Sequence, residues 1–197
     1  LLPNTPCLSE AEARVLDAWV KQGGTLIATG ETGFYDERAS RRKDFALTCI
    51  PASSPARAES GLETYISIDE GEFDFADTRL LHLDGWYFHA SPKGDAVAQL
   101  SLLPAQQYGP PELCFAESKT SRGPGLLTRR HGKGMAIWLP WLPEWLYFRD
   151  GLSEHRELIR QLIERASAAP VRLSGAGPVE VTVREMQDDS GDRVVHI

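Results

Sequence analysis

The sequence predicts an α/β fold with a parallel sheet, and the strongest evidence lies in residues 16–33, LDAWVKQGGTLIATGETG. This segment combines the end of an amphipathic helix, a double-glycine stop, a short apolar strand and a second glycine-bearing turn. A helix that leads directly into a buried strand is half of a βαβ unit. Functional side chains in open parallel sheets gather at the carboxyl ends of strands. Residues 30–33 and the polar run after them are therefore the first candidate site.

The first elements follow from local signals. Ser9 is predicted as the N-cap of a helix, with Glu12 as its capping-box partner, and Gly23 as a left-handed C-cap. The strand Thr25–Thr29 is expected to be buried on both faces, because helices cover both sides of a parallel sheet. Residues 33–60 lack periodicity and are predicted as a long connection.

The remaining elements are shorter and mostly β. Strands are predicted at residues 62–68, 79–90 and 95–103, a hairpin at 125–140, and a helix at 151–168. Beyond residue 170 the pattern changes to short strands at 171–173, 179–184 and 193–197, which predicts the start of an all-β domain. We therefore predict two domains, 1–169 and 170–197. Residues 1–4 resemble the end of a buried strand with its exit turn, and residues 194–197 resemble the middle of a strand, which suggests a piece of a longer polypeptide.

The composition is typical of a globular protein and argues against two kinds of partner. The chain has 197 residues, of which 42% are hydrophobic and 25% charged. Its net charge of −7, with both signs mixed, predicts no nucleic-acid partner and no membrane surface. No apolar run approaches the roughly 18 residues that a membrane span needs.

The cysteines indicate the compartment and argue against bound groups. Cys7, Cys49 and Cys114 are widely spaced and form no C-x-x-C pair, so they predict neither a zinc site nor a disulfide framework. A reducing, cytoplasmic location is the simplest interpretation. We expect no metal and no cofactor.

Several segments in order carry a family resemblance. They are LPN, then LSEAEARVLDAWVKQGGTLIATGETGFYDERASRRKDFAL, then PPE, then PGLLTRRHGKGMAIWLPW, and finally EHRELIRQLIERA. Together, over residues 1–168, they resemble a class I glutamine-amidotransferase-like domain. More narrowly, they resemble the domain that follows the catalytic barrel in bacterial glycoside hydrolases, called the trimerisation domain in family 42 β-galactosidases. The tail resembles the first strands of a small β-sandwich.

The resemblance implies a fold. It implies a flavodoxin-like parallel sheet flanked by helices, with the first βα units missing upstream of Leu1, followed by the start of a small β-sandwich. Residues 48–54 depart from the family, which usually continues there with an apolar, glycine-containing stretch.

The chemistry of a working amidotransferase is missing from this chain. Such an enzyme needs a cysteine on the sharp turn after the strand, activated by a histidine and an acid. Residues 30–33, here called the elbow turn, read Gly-Glu-Thr-Gly, and the histidines His131 and His155 lie in a glycine turn and a helix. We therefore predict no catalytic residue in this chain.

Two groups of residues are candidates for binding. Glu31, Tyr35, Asp36, Arg41 and Arg42 are predicted to organise a cleft or ligand site at the strand end. For Glu31 we favour a structural carboxylate that accepts backbone N–H groups or pairs with Arg41 or Arg42. The alternative is a hydrolase in which Glu31 and Asp36 flank a sugar bond.

Aromatic residues form the second group. Trp86, His89, Trp141, Trp145 and Tyr147 are predicted to line either a subunit interface or the rim of a sugar site. Core or interface packing is favoured over saccharide binding. Residues 139–143 are predicted as an apolar loop that two prolines stiffen.

These observations lead to one main functional hypothesis and two alternatives. The chain is expected to be a non-catalytic module of a larger, β-galactosidase-like glycoside hydrolase. Its partners would be further copies of itself, in an oligomer such as a trimer, and the catalytic barrel of the same polypeptide, whose active-site entrance it helps to shape. The alternatives are a carbohydrate-binding module and the hydrolase named above.

Overall fold

The computed structural model describes residues 1–75, 78–105, 109–110, 112, 121–166, 181–185 and 193–196. Within these residues the chain forms three helices, a six-stranded sheet and a separate two-stranded ribbon. In chain order the elements are α1 Glu10–Gln22, β1 Thr25–Thr29, β2 Ala52–Ser67, β3 Leu80–Pro92, β4 Val97–Leu102, β5 Gly123–His131, β6 Gly134–Leu139, α2 Pro143–Asp150, α3 Ser153–Ala166, β7 Thr182–Glu185 and β8 Arg193–His196.

The sheet is mixed rather than parallel, so the predicted α/β class is confirmed but the predicted strand arrangement holds only at one edge. The strand order is β1-β6-β5-β4-β2-β3. Among the described strands only β1 and β6 pair in parallel, and Leu2 extends this edge by a parallel bridge to Ala28. Parallel neighbours need a long crossover, usually helical. Residues 30–51 contain no helix and lead instead into strands that pair antiparallel.

The start of α1 follows its local sequence closely. The Ser9 hydroxyl accepts the amide of Glu12 at 3.2 Å, and the Glu12 carboxylate accepts the amide of Ser9 at 2.8 Å, which confirms the capping box. The helix ends at Gly23, whose φ of +129° is positive but lies outside the left-handed helical region. The predicted cap position is thus right and its conformation is different.

The first part of β2 and the helix α2 were not expected from the sequence. Strand β2 begins at Ala52, ten residues before the predicted start at 62, because residues 52–61 gain their extended conformation by pairing with β3. Helix α2 begins at Pro143, the last residue of the predicted proline-stiffened loop, and proline favours the first position of a helix. The hairpin β5–β6 and the helix α3 confirm the corresponding predictions.

Apolar residues cover both faces of the sheet, as predicted for β1. Successive side chains of β1 enter opposite cores, since Leu26 packs with α1 and residues 34–50 whereas Ile27 packs with α2 and α3. The same alternation separates Ile137 from Trp138 on β6. The parallel edge of the sheet is therefore enclosed by a layer on each side.

The chain beyond α3 is described only in part. Strands β7 and β8 pair antiparallel, at the positions where strands were predicted. The predicted strand at 171–173 and the domain boundary near residue 170 lie outside the described residues. Among the described helices, none is long and apolar enough to cross a membrane.

Candidate functional site

The candidate site lies where β1 and β6, the parallel pair, both end. Strand β1 runs into the elbow turn, and β6 runs through Trp141 into α2. Because parallel strands end at the same edge, the elbow turn and the start of α2 meet there. The site is therefore built from two segments that are more than 100 residues apart.

The elbow turn is closed by its own hydrogen bonds. All four backbone amides of residues 30–33 donate within the chain. Their acceptors, in order, are the Leu139 carbonyl at 2.9 Å, the Asn4 side-chain oxygen at 2.9 Å, and the carbonyls of Thr29 at 3.3 Å and Thr5 at 3.0 Å. An oxyanion hole needs amides that point at the reacting oxygen. This turn therefore offers no such donors, in addition to carrying a glutamate instead of a cysteine.

Gly30 is required by the shape of the turn. Its φ is +55°, and a Cβ atom would overlap Leu142 and lie 2.5 Å from the Asn4 side-chain oxygen. Its carbonyl accepts the indole N–H of buried Trp138 at 3.0 Å. The residues around the turn thus fix its backbone from three sides.

Of the two arginines predicted to pair with Glu31, Arg42 bonds elsewhere. The half-buried Glu31 carboxylate accepts a long hydrogen bond of 3.4 Å from the hydroxyl of Tyr35. Arg42 instead forms an ion pair with Glu10 and donates to the Leu8 carbonyl at 2.9 Å. Arg42 therefore ties the loop to the start of α1, and Arg41 is exposed.

Asp36 closes the turn that follows. Its Oδ1 atom accepts the amides of Ser40 at 2.8 Å and Arg38 at 2.9 Å. The Ser40 amide, followed by the Arg38 amide and the charge of Arg42, lowers the pKa of the Asp36 carboxyl. The hypothesis of a hydrolase working through Glu31 and Asp36 stays a prediction that this geometry does not favour.

Sequence reasoning missed Glu144, an acid that forms a hydrogen bond with Thr29, the last residue of β1. The Thr29 hydroxyl accepts the Asn4 amide at 2.9 Å and donates to Glu144 Oε1 at 2.6 Å. Glu144 Oε2 is buried without a hydrogen-bond partner among the described residues. Burial raises the pKa of Glu144 above its ordinary value of 4.5, against the opposing effect of the Thr29 bond. The only available signal was an acid placed directly after a helix-starting proline.

Replacing Glu144 by glutamine is expected to stabilise the protein at neutral pH. Because the folded-state pKa is raised, the favourable contribution of Glu144 is complete below pH 4.5 and is lost as pH rises through the folded-state value. Above that value the wild type buries a charge with one unpaired oxygen. We expect E144Q to match the wild type near pH 4 and to melt about 2–4 °C higher at pH 7. Thermal unfolding followed by circular dichroism across this range measures the difference.

Glu154→Gln is the matched control, since Glu154 also lies in the first turn of a helix. It removes the same favourable charge–dipole interaction without the unpaired oxygen, so its melting temperature is expected to stay level or fall. A neutral-pH melting temperature of E144Q at or below that of the wild type would contradict the account of Glu144.

The aromatic candidates divide into buried and exposed residues. Trp141 is fully buried and donates its indole N–H to the Gly125 carbonyl at 2.8 Å, so it belongs to the core and to neither an interface nor a sugar rim. Trp86 and Trp145 are each about half exposed and line one cavity between β3 and α2. Tyr147 is partly exposed beneath the guanidinium of Arg156.

His89 forms its hydrogen bond with a charged residue of β2. Its Nε2 atom is 2.9 Å from Glu59, which is also 3.7 Å from Arg122. These three residues form a polar cluster on β2, β3 and the residue that precedes β5. Within the described part of the chain, no group of three or more His, Cys, Asp and Glu side chains is placed to hold a metal.

Comparison with known proteins gives a fold and no sequence family. No protein-family profile and no curated protein matches the chain. The family 42 β-galactosidase Gan42B from G. stearothermophilus matches 97% of this chain with 28% of its own, at a TM-score of 0.65 and 16% identity. The β-galactosidase from Halorubrum lacusprofundi matches 98% of this chain with 29% of its own, at a TM-score of 0.60 and 19% identity.

The fold also occurs in a glycosidase of another specificity. α-L-Fucosidase isoenzyme 2 from Paenibacillus thiaminolyticus matches 84% of this chain with 24% of its own, at a TM-score of 0.60 and 14% identity. This chain therefore spans less than a third of the length of each of these proteins. At such identities the likeness concerns the fold alone. The chain adopts a fold that forms one part of longer glycoside hydrolases, family 42 β-galactosidases among them.

Proposed function

We propose that this chain is a non-catalytic, amidotransferase-like module of a larger glycoside hydrolase of the β-galactosidase kind, with a flavodoxin-like core. It acts in oligomer assembly and in shaping the entrance to the catalytic barrel of the same polypeptide. Its location is cytoplasmic, and residues 170–197 begin a small β-sandwich. The fold match to part of Gan42B, over 97% of this chain, supports the parent enzyme.

One observation carries the non-catalytic role. The elbow turn stands after β1, where a catalytic cysteine would be held, yet its four amides are all used within the chain and its second residue is Glu31. Rebuilding a nucleophile and an oxyanion hole there would require breaking the bonds that fix the turn. The same bonds suit a rigid support for a neighbouring domain.

The outer face of α2 is the proposed contact in the oligomer. Phe148 is 78% exposed, and its ring packs against Trp145 at a centroid distance of 5.8 Å. Together with Tyr147 these side chains present an aromatic surface, and aromatic residues are enriched where subunits meet. Burial of exposed aromatic side chains of this size against a second copy stabilises the association.

Phe148→Asp is expected to dissociate the oligomer. A charge placed at the centre of an apolar contact must be desolvated without a partner, which disfavours association strongly. Light scattering at several concentrations is expected to give a closed oligomer, such as a trimer, for the wild type and the monomer mass for F148D. Val15→Asp on α1 is the matched control, because Val15 is 69% exposed on another helix.

Two results would contradict this proposal. A wild-type chain that stays monomeric at every concentration would contradict the role in assembly. Equal dissociation of V15D and F148D would show that the contact is not specific to α2. The melting temperature of each variant separates loss of assembly from loss of folding.

A further inference from the structure

Aromatic and charged side chains line a cavity between β3 and α2. It encloses about 110 Å³, and Trp86 from β3 and Trp145 from α2 contribute to its lining. Both indoles are about half exposed, at 49% and 50%. Asp84 and Arg149 also line it, so aromatic and charged groups share one small space.

The sheet is locally built to present Trp86. Residues 60 and 61 of β2 both lie opposite Trp86, because the register shifts between the pairs Glu59–Tyr87 and Leu62–Gly85. Gly85, next to Trp86, has a φ of +137°, which L side chains rarely adopt. Bulges of this kind redirect a side chain. Trp86 is further held by parallel stacking on Phe88 at 6.3 Å.

The charged pair is held in place and keeps bonding capacity. Arg149 donates from Nη2 to Asp84 at 2.6 Å and to Asp150 at 2.7 Å, and from Nε to Asp150 at 2.7 Å. Among the described residues, no hydrogen bond engages Arg149 Nη1 or Asp84 Oδ1. Both side chains are about a third exposed. A ligand in the cavity can therefore meet one donor and one acceptor on a fixed pair.

These features select a class of ligand. Asp84, Asp150 and Arg149 together carry a net charge of −1, which disfavours an anion, and the Arg149 guanidinium repels a cation placed beside it, so a neutral ligand fits best. Indole faces pack against C–H surfaces, while a carboxylate and a guanidinium bind hydroxyl groups. A volume of about 110 Å³ is well below the roughly 300 Å³ at which drug-sized pockets begin, so the cavity can seat one face of a single ring whose remainder stays in solvent.

We propose that the cavity lined by Trp86, Trp145, Asp84 and Arg149 is a binding subsite for a single neutral pyranose ring. The ring packs against the indoles that line the cavity, and adjacent hydroxyl groups bond to Asp84 Oδ1 and Arg149 Nη1. This subsite is separate from the elbow turn, but it shares Trp145 with the aromatic surface proposed for the oligomer, so a sugar and a second copy would compete for that indole. With so few contacts, affinity for a free monosaccharide is about millimolar.

The test is a titration of the chain with D-galactose, D-glucose and methyl β-D-galactoside, followed by the indole N–H signals in nitrogen-15 NMR spectra. Signals of Trp86 and Trp145 are expected to shift saturably with at least one of these sugars. The buried indoles of Trp138 and Trp141 are expected to stay unchanged and serve as internal references. Glucuronate and choline, as anionic and cationic probes, are expected to cause no saturable shift.

Arg149→Met is expected to weaken sugar binding about tenfold or more, because the ring loses a charged hydrogen-bond donor. Arg160→Met is the matched control, since Arg160 likewise pairs with two carboxylates, on the exposed face of α3. The proposal would be overturned if no sugar shifted these signals at a 100-fold molar excess over the protein, after correction for dilution. It would also be overturned if sugar binding were weakened equally in both variants. Shifts of the same two indoles on dilution alone, without any response to sugar, would assign the cavity to contact between copies instead.

Discussion

Replacing Gly134 by alanine is expected to destabilise the protein by about 3 kcal/mol or more, which lowers the melting temperature by about 6–12 °C. Gly134 is the first residue of β6 and is buried beneath the end of α1. A Cβ atom there would overlap the carbonyl oxygens of Val20 and Gly24. Because both obstacles are backbone atoms, no side-chain rotation can relieve the overlap.

The close approach at Gly134 also holds the hairpin to the helix. The amide of Met135 donates to the Gly24 carbonyl at 3.1 Å, and that of Lys133 donates to the Lys21 carbonyl at 2.9 Å. Moving α1 away to admit a methyl group would strain both bonds and open the core around Val20. The expected loss therefore combines steric overlap with weakened hydrogen bonds.

Gly94→Ala is the control for this substitution. Gly94 lies in an exposed turn, and a Cβ atom there meets nothing within 4 Å. We expect its melting temperature to stay within about 2 °C of the wild type. Thermal unfolding by calorimetry compares the two variants, and similar melting temperatures for G134A and G94A would show that α1 and the hairpin are not in close contact.

Elements with strong local signals could be predicted from the sequence. The start of α1 depends on Ser9 and Glu12, three residues apart, and the β5–β6 hairpin depends on a glycine-bearing turn between two apolar runs. In both cases the partners of each hydrogen bond are close in the chain. A reader of the sequence therefore sees all the groups that decide the local structure.

Elements that depend on distant partners could not be predicted. The first half of β2 carries few apolar residues and is extended because β3 supplies its hydrogen bonds. Helix α2 has Leu142 at its N-cap position, and that side chain makes no capping bond, so the usual signal is missing. Strand order is likewise a tertiary property. The sequence around β1 indicates a parallel pair, but it does not show that the other strands pair antiparallel.

The sequence predicts the position of the candidate site, but only some of the residues that form it. The position of the elbow turn follows from β1 itself, and so does the missing cysteine. Glu144 escaped notice because its bond to Thr29 joins residues 115 apart in the sequence. The sequence does not distinguish the roles of Trp141 and Trp145, since they lie four positions apart in an apolar segment without clear periodicity.

Those two tryptophans allow the second large prediction. Replacing Trp141 by alanine is expected to destabilise the protein by about 3–5 kcal/mol, because it leaves a large cavity in the core. Trp141 is fully buried, its ring lies 5.5 Å from that of buried His155, and its indole N–H satisfies the Gly125 carbonyl. Denaturant unfolding measures the change in the free energy of unfolding.

Two further variants separate the causes. Trp141→Phe keeps most of the ring but leaves the Gly125 carbonyl unpaired, so we expect a loss of about 1–3 kcal/mol. Trp145→Ala removes an indole that is 50% exposed and is expected to change stability by less than about 1 kcal/mol. Equal losses for W141A and W145A would contradict the assignment of Trp141 to the core. The predicted loss of stability is largest for Trp141→Ala and smallest for Trp145→Ala, and this order follows from the burial of each side chain. The sequence alone does not give the order, because it places both residues in the same apolar segment.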